Sequence, residues 1–305
     1  MKKAFITGIY GFAGQHLAKE LIKNNYEVSG IDVFYDTDIE ELKITSKKTG
    51  YSLCDIRDKA KLNDIISTRR PDYVFHLAGL IKAEPNLIRE INFEGTKNLL
   101  DSIVESKINP RILLIGTAYE YGIPKELPIK ETHPLNPTGA YAVLKLEAEK
   151  LNHNLDIVYT RSFNHTGPGQ ITGTVCSDIA KQIAEIESEK KEPIISIGNM
   201  DAQRDFTDVG DVVKAYRLLA EKGKTKEAYN VCSGKAYSVK EILGIFLKLS
   251  KKDIKIERDE ARMRKSDIPI LIGDYSKIKN LCGWQPKIEI EKTLEDLLNY
   301  WREAI

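Results

Sequence analysis

The chain has 305 residues, 42% hydrophobic and 30% charged, with 46 basic against 45 acidic side chains and a net charge of +1. That is the composition of a globular protein with room for one large domain or two coupled ones, and the even charge balance argues against nucleic-acid or membrane-surface binding. Cys54, Cys176, Cys232 and Cys282 form no CxxC or Cys/His pair, so neither a metal site nor a disulfide framework is expected, and a reducing, cytoplasmic setting fits.

Met1-Lys2-Lys3 runs into the apolar stretch Lys3–Thr7, too short for a signal peptide or membrane span and read as a buried strand. The turn Gly8-Ile9-Tyr10-Gly11-Phe12-Ala13-Gly14 follows, and a helix is predicted from about Gly14 to Asn24. Glu27–Val33 is the second strand; Asp72–Leu77 and Arg111–Ile115, each after a proline and a helical stretch, continue the series. This alternation predicts an α/β fold, a Rossmann-type doubly wound parallel sheet with ligands bound along the strands' C-terminal edge.

Beyond Leu155–Arg161 the alternation loosens. Ser162–Thr174, rich in Gly, Pro, Asn and Thr, reads as a loop leaving the sheet. A helix over about 176–190, a short strand at Ile194–Ile197, a helix over 211–221 and a strand at Ala228–Val231 are predicted next. Helices near 239–249 and 293–302 complete the reading. The expected division is an NAD-binding domain over 1–162, rejoined near 205–232, and a smaller, discontinuous C-terminal α/β substrate-binding lobe over 163–305.

The glycine turn between a strand and a helix lets backbone N–H groups approach a pyrophosphate at the helix N-terminus, where the helix dipole adds to the attraction. Its spacing is GxxGxxG rather than the usual GxGxxG. Gly8, Gly11, Phe12, Ala13 and Gly14 are therefore candidate cofactor contacts. Asp32, at the end of the second strand, suits the adenosine ribose hydroxyls and would repel a 2′-phosphate, and Val33 to Asp38 offer no basic partner. NAD is thus expected over NADP. Asp55 and Ile56, after the third strand, are candidates for the adenine edge.

Tyr141-Ala142-Val143-Leu144-Lys145 places a phenol and an ammonium on one helical face. A free phenol has a pKa near ~10, and a neighbouring ammonium is expected to lower it, as is the positive nicotinamide ring of an oxidised cofactor. Thr117, one residue beyond Gly116, brings a hydroxyl to the end of a strand, where with Tyr141 it makes two donors for a carbonyl gaining negative charge. Either the glycine turn or the Tyr/Lys pair alone is a weak signal. Together they specify hydride transfer coupled to proton transfer.

These residues, with His76-Leu77-Ala78-Gly79, Asn92 in NFEGT and Tyr121-Gly122, resemble the nucleotide-sugar-modifying branch of the extended short-chain dehydrogenase/reductase family, nearly end to end. FNHTGPGQ, AKQIAEIE, RDFTDV and DIPILIGD are most similar to the GDP-4-keto-6-deoxy-D-mannose reductases. The resemblance implies that Thr117, Tyr141 and Lys145 are catalytic, that Leu77, Ala78, Gly79, Asn92 and His165 also line the cofactor, and that Lys145 holds its ribose. It implies that Asn164, Arg204 and Arg264 meet the substrate diphosphate, Asp267 the nucleotide ribose, and Asp178 and Lys181 the base. It implies a homodimer through the helices carrying Tyr141 and Glu94–Ser106.

Three positions depart from the pattern: Lys265 stands where the reductases usually have Pro, Gly210 where they usually have Arg, and Tyr119 where dehydratases place a Glu and many reductases also carry one. Ketoreduction at C4 of a nucleotide 4-keto-6-deoxy sugar is the leading reading, with 4-epimerisation, 4,6-dehydration and a non-catalytic NAD sensor as alternatives. Dehydration needs a base at C5 and an acid at C6, for which Tyr119 is a poor substitute. Glu120 is adjacent, but strand-like alternation aims it elsewhere.

Overall fold

Along β1 (Lys2–Thr7) the side chains alternate between two cores: Ala4 and Ile6 enter one, Phe5 the other. Further along the chain come β2 (Tyr26–Asp32), β3 (Thr49–Leu53), β4 (Tyr73–His76), β5 (Arg111–Thr117), β6 (Asp156–Ser162) and β7 (Asn164–Thr166). They are followed by β8 (Ile194–Ile197), β9 (Gln203–Asp208), β10 (Ala228–Val231), β11 (Ala236–Ser238), β12 (Lys255–Arg258) and β13 (Ile270–Leu271). This computed structural model describes residues 1–34, 49–151, 154–259 and 268–305.

Seven strands pair in parallel in the order β10-β6-β5-β4-β1-β2-β3. Ala4, Ile6, Leu113 and Val158 pack on one face against the helices Phe12–Lys23 and Val209–Lys222. Phe5, Ile112, Leu114, Ile157 and Tyr159 pack on the other against Lys59–Arg69 and Gly95–Glu105. Each fully buried Leu or Ile here stabilises the fold by about 1.5–3 kcal/mol relative to exposure. The chain reaches the β3 edge and then returns to the opposite side of β1, so the strand order reverses between β1 and β4 and opens a crevice at their C-terminal ends.

The segment expected to be only a loop, Ser162–Thr174, contains β7, which pairs in parallel with β9. Three residues of strand among glycines and prolines leave too little periodicity to read. β9 also pairs with β11 (antiparallel) and β13 (parallel), and β8 with β12. The helices Val175–Glu187, Val239–Leu249 and Ile290–Ala304 enclose a separate core with Ile195, Ile197 and Phe206. Asp205, buried on β9, accepts the N–H groups of Ser233, Gly234 and Gly273 and the Ser233 hydroxyl. It thus ties the end of β10 to the strands of the second sheet. No helix among the described residues is long and apolar enough to cross a membrane.

Candidate active site

The first helix starts at Phe12, two residues earlier than expected, because Gly11 itself caps it in an extended conformation (φ −65°, ψ 164°). Gly8 has φ +74°, and a Cβ on it would lie 3.1 Å from the Ala78 nitrogen. A Cβ on Gly14 would lie 2.1 Å from the Gly8 carbonyl oxygen, so the helix closes onto the loop only with glycine there. The first helical N–H groups aim out of this end, and its first turn carries no acidic residue, which suits a bound anion. Asp32, at the end of β2, accepts the N–H of Tyr10 (2.9 Å) and of Val33 (2.8 Å). Burial raises its carboxyl, and these N–H groups oppose the rise. The cradle fits a dinucleotide.

Behind the cradle lies a polar cluster not anticipated from the sequence. The Thr7 hydroxyl meets His76 Nδ1 at 2.7 Å, and His76 Nε2 meets the Thr96 hydroxyl at 2.9 Å. Thr96 donates to the Asn92 carbonyl, so it accepts from Nε2–H, and His76 Nδ1 accepts from Thr7. Thr7 in turn accepts the Ala78 N–H at 3.2 Å. Burial, with the Lys145 charge beside it, holds the imidazole down to about 3. The cluster fixes Leu77–Gly79 against Gly8.

Asn92 sits in a π-helical turn, Glu90–Glu94, that interrupts the helical run Pro85–Glu105. Its side chain accepts the Leu80 N–H (3.1 Å) and donates to the Leu80 carbonyl (2.8 Å). A Cβ on Gly79 would lie 2.7 Å from Asn92 Oδ1 and 3.2 Å from Lys145 Nζ, so the loop after β4, Asn92 and Lys145 converge on one point.

Tyr141 and Lys145 share a face of the helix Ala140–Glu149, with Nζ 6.0 Å from the phenol ring centroid. That helix packs on the short 3₁₀ turn Ala118–Tyr121, which Thr117 caps. Thr117 Oγ1 accepts the Tyr119 N–H at 3.3 Å, leaving its own proton to donate. Burial lowers Lys145 to about 8, with Glu120 opposing. The expected lowering of the phenol is not what the protein alone produces: burial first, then Glu120, Tyr216 and Tyr119, raise Tyr141 well above the ordinary tyrosine value. Every one of these influences acts in the same direction, and the phenol stays protonated.

Glu120 lies in the 3₁₀ turn rather than on a strand, so strand alternation does not set its direction. Fully buried, it accepts the Thr117 N–H at 2.8 Å and Arg161 Nε–H at 3.1 Å. Arg161 also donates to both carboxylate oxygens of Glu149, at 2.8 and 3.0 Å.

Among the remaining candidates, His165 stacks on Phe12 (5.8 Å, 14°), which brings β7 to the glycine loop, and Asn164 precedes it. Arg204 is buried on β9 and donates to the Ile268 carbonyl at 2.6 Å. Asp178 accepts the Gly173 N–H at 2.7 Å, while Lys181 lies 5.4 Å over the Trp301 ring. Asp55 is ion-paired to Arg57 at 2.6 Å, and Ile56 is buried against Gly95. Arg264, Lys265 and Asp267 lie outside the described residues.

Comparison with known proteins agrees with this geometry. The GDP-mannose 4,6 dehydratase family model matches residues 5–297. GDP-6-deoxy-D-mannose reductase of Pseudomonas aeruginosa is 31% identical, with 100% of this chain and 98% of that protein covered. The structure of RMD from Pseudomonas aeruginosa complexed with NADPH superposes with a TM-score of 0.87 at 29% identity, covering 100% of both chains. UDP-glucose 4-epimerase from Bifidobacterium longum, in complex with NAD+ and UDP, gives 0.88 at 25% identity, covering 99% of this chain and 98% of that one. With the glycine cradle, the Tyr141/Lys145 pair and this match from end to end, the chain belongs to the GDP-mannose 4,6 dehydratase family of NAD(P)-dependent nucleotide-sugar oxidoreductases.

Proposed function

We propose that the chain is a nucleotide-sugar 4-ketoreductase, acting on GDP-4-keto-6-deoxy-D-mannose to give GDP-D-rhamnose. The observation that carries this reading is the set of groups around Tyr141. Tyr119 occupies the place of the dehydratase carboxylate, and Glu120, the nearest acid, is locked onto Arg161 and the Thr117 N–H. Dehydration lacks its base. The 31% identity to a GDP-6-deoxy-D-mannose reductase supports the choice of sugar.

Gly8, Gly11, Phe12, Ala13, Gly14 and Asp32 would hold the dinucleotide, with Leu77–Gly79, Asn92 and His165 lining its nicotinamide half and Asp55 and Ile56 its adenine. Bound NAD(P)H supplies the hydride. The chain's own contribution is positioning and the proton. Thr117 and Tyr141 donate hydrogen bonds to the C4 carbonyl oxygen, and Tyr141 gives up its proton there as negative charge develops. A phenol kept protonated by its surroundings suits this direction. Lys145 stabilises the phenolate that remains. Asn164, Arg204 and Arg264 would take the diphosphate, Asp267 the nucleotide ribose, and Asp178 and Lys181 the base.

Epimerisation uses the same three groups, and the structural likeness to a UDP-glucose 4-epimerase favours it as the second reading. Incubation with reduced cofactor and a panel of nucleotide 4-keto sugars separates the two. Stoichiometric oxidation of the cofactor supports the reductase; sugar turnover without it sinks that reading in favour of the epimerase.

A further inference from the structure

Beneath the catalytic helix is a small cavity lined by Thr96, Gly116, Glu120, Lys145, Glu149 and Thr160. Its charged walls form a cluster. Arg161 is shared between Glu120 and Glu149, so the two carboxylates outnumber the guanidinium by one, and the Lys145 ammonium is the cation that balances them. Glu120 and Lys145 are both buried, and so is Arg161. A lone buried charge of either sign is costly, whereas the two carboxylates and the ammonium that line the cavity, with the guanidinium bound to both carboxylates, sum to zero. The backbone is shaped for this arrangement. A Cβ at position 116 would lie 2.5 Å from Glu120 Oε1 and 2.5 Å from the Thr160 carbonyl oxygen, so only glycine lets the carboxylate fold under the end of β5.

We propose that Glu120 is a positioning residue whose buried carboxylate supplies the counter-charge that keeps Lys145 an ammonium beneath Tyr141. This rests on the reading of Tyr141 and Lys145 as the catalytic pair. Other groups around the lysine do not fill the role. His76, on β4, is neutral, its pKa lowered by burial and then by the Lys145 charge. Glu149, on the lysine's own helix, takes two hydrogen bonds from the Arg161 guanidinium. Tyr159 and Tyr121 are phenols that burial keeps protonated, and Arg161 has the lysine's own sign. Asn92 and Thr96 bring dipoles but no charge. Burial and Glu149 raise the Glu120 carboxyl while the Thr117 N–H and Arg161 pull it down, and burial alone drives Lys145 downward, with Glu120 pulling it back.

The test is the titration of Lys145 read directly, by NMR of protein carrying 13C at the lysine ε-carbon, with Lys145→Met to assign the signal. In the unmodified protein a midpoint near about 8 is expected. In Glu120→Gln, which keeps an acceptor for the Thr117 N–H, the midpoint should fall by about 1–3 units, and the alkaline limb of kcat/KM should move to lower pH with it. Glu120→Met carries the same expectation if the Gln variant does not fold, and Glu120→Asp should keep the midpoint close to that of the unmodified protein. An unmoved midpoint in whichever neutral variant folds overturns the proposal, even if activity drops. Because the titration needs no substrate, a shifted midpoint together with full turnover in Tyr141→Phe would leave the charge pairing standing and remove the catalytic reading instead.

Discussion

Tyr10 donates its backbone N–H to the Asp32 carboxylate at 2.9 Å, so the acid at the end of β2 also fastens the glycine loop that starts after β1. One side chain thereby sets both the shape of the cradle and the sign of the charge where the adenosine ribose is proposed to lie. A 2′-phosphate there meets a carboxylate, a repulsion of some kcal/mol even with partial screening. We expect kcat/KM to favour NADH. Asp32→Ser should bring the two cofactors toward parity and, because the Tyr10 contact is lost as well, raise KM for both. Equal or better kcat/KM with NADPH in the unmodified protein would show that Asp32 does not read the ribose.

Tyr141→Phe removes the proposed proton donor and leaves the ring in place. Turnover should fall by about 10²–10⁴-fold while the dissociation constant for the reduced cofactor, read by fluorescence, stays near that of the unmodified protein. Unimpaired turnover in this variant would abolish the mechanism.

His76 makes stability sensitive to acid. Its folded value, about 3, lies below the ordinary 6.5, so as pH falls between these the unfolded chain takes up a proton that the folded chain refuses. The stability present above pH 6.5 is therefore lost progressively toward pH 3, each unit of separation counting for about 1.4 kcal/mol. Protonation would also put a proton on Nδ1, facing a Thr7 hydroxyl that now donates to it. Denaturant unfolding from pH 7 to 4 should show a steeper loss for the unmodified protein than for His76→Gln, although the variant starts less stable. Parallel curves would refute this account.

The helix carrying Tyr141 leaves Val143 exposed, and Gly95–Glu105 leaves Val104 exposed. We propose that these helices pair across a homodimer. Light scattering at micromolar concentration should give twice the 34.5 kDa chain mass, and Val104→Glu with Val143→Glu should halve it. A monomeric mass for the unmodified protein counts against the pairing.

The sheet was legible because Lys3–Thr7 and Arg111–Ile115 are apolar runs that end at a glycine, the second starting after a proline, and Leu155–Arg161 repeats the pattern after a helical stretch. The glycine loop and the Tyr141/Lys145 spacing were legible because each is a local pattern. What escaped reading depends on residues distant in sequence. His76 finds Thr7 69 positions away and Thr96 20 away, a relation that no spacing rule anticipates. Glu120 looked like a stray acid because its partner, Arg161, lies 41 residues on. The π turn at Asn92 left no mark in the helical periodicity, since it adds a single residue to one turn. The phenol's raised pKa followed from burial, which the sequence does not quantify.

Asp205 gathers four donors from three positions, Ser233, Gly234 and Gly273, and stands next to Arg204 in the chain. The strand proposed to reach the substrate is therefore anchored, at its neighbouring residue, to the edge of the nucleotide sheet. A second tie joins the first helix to the segment after β7, where His16 bonds the Pro168 carbonyl at 2.8 Å. Because β7 and β9 pair with each other, the two ties hold both members of that pair to the nucleotide-binding half of the chain.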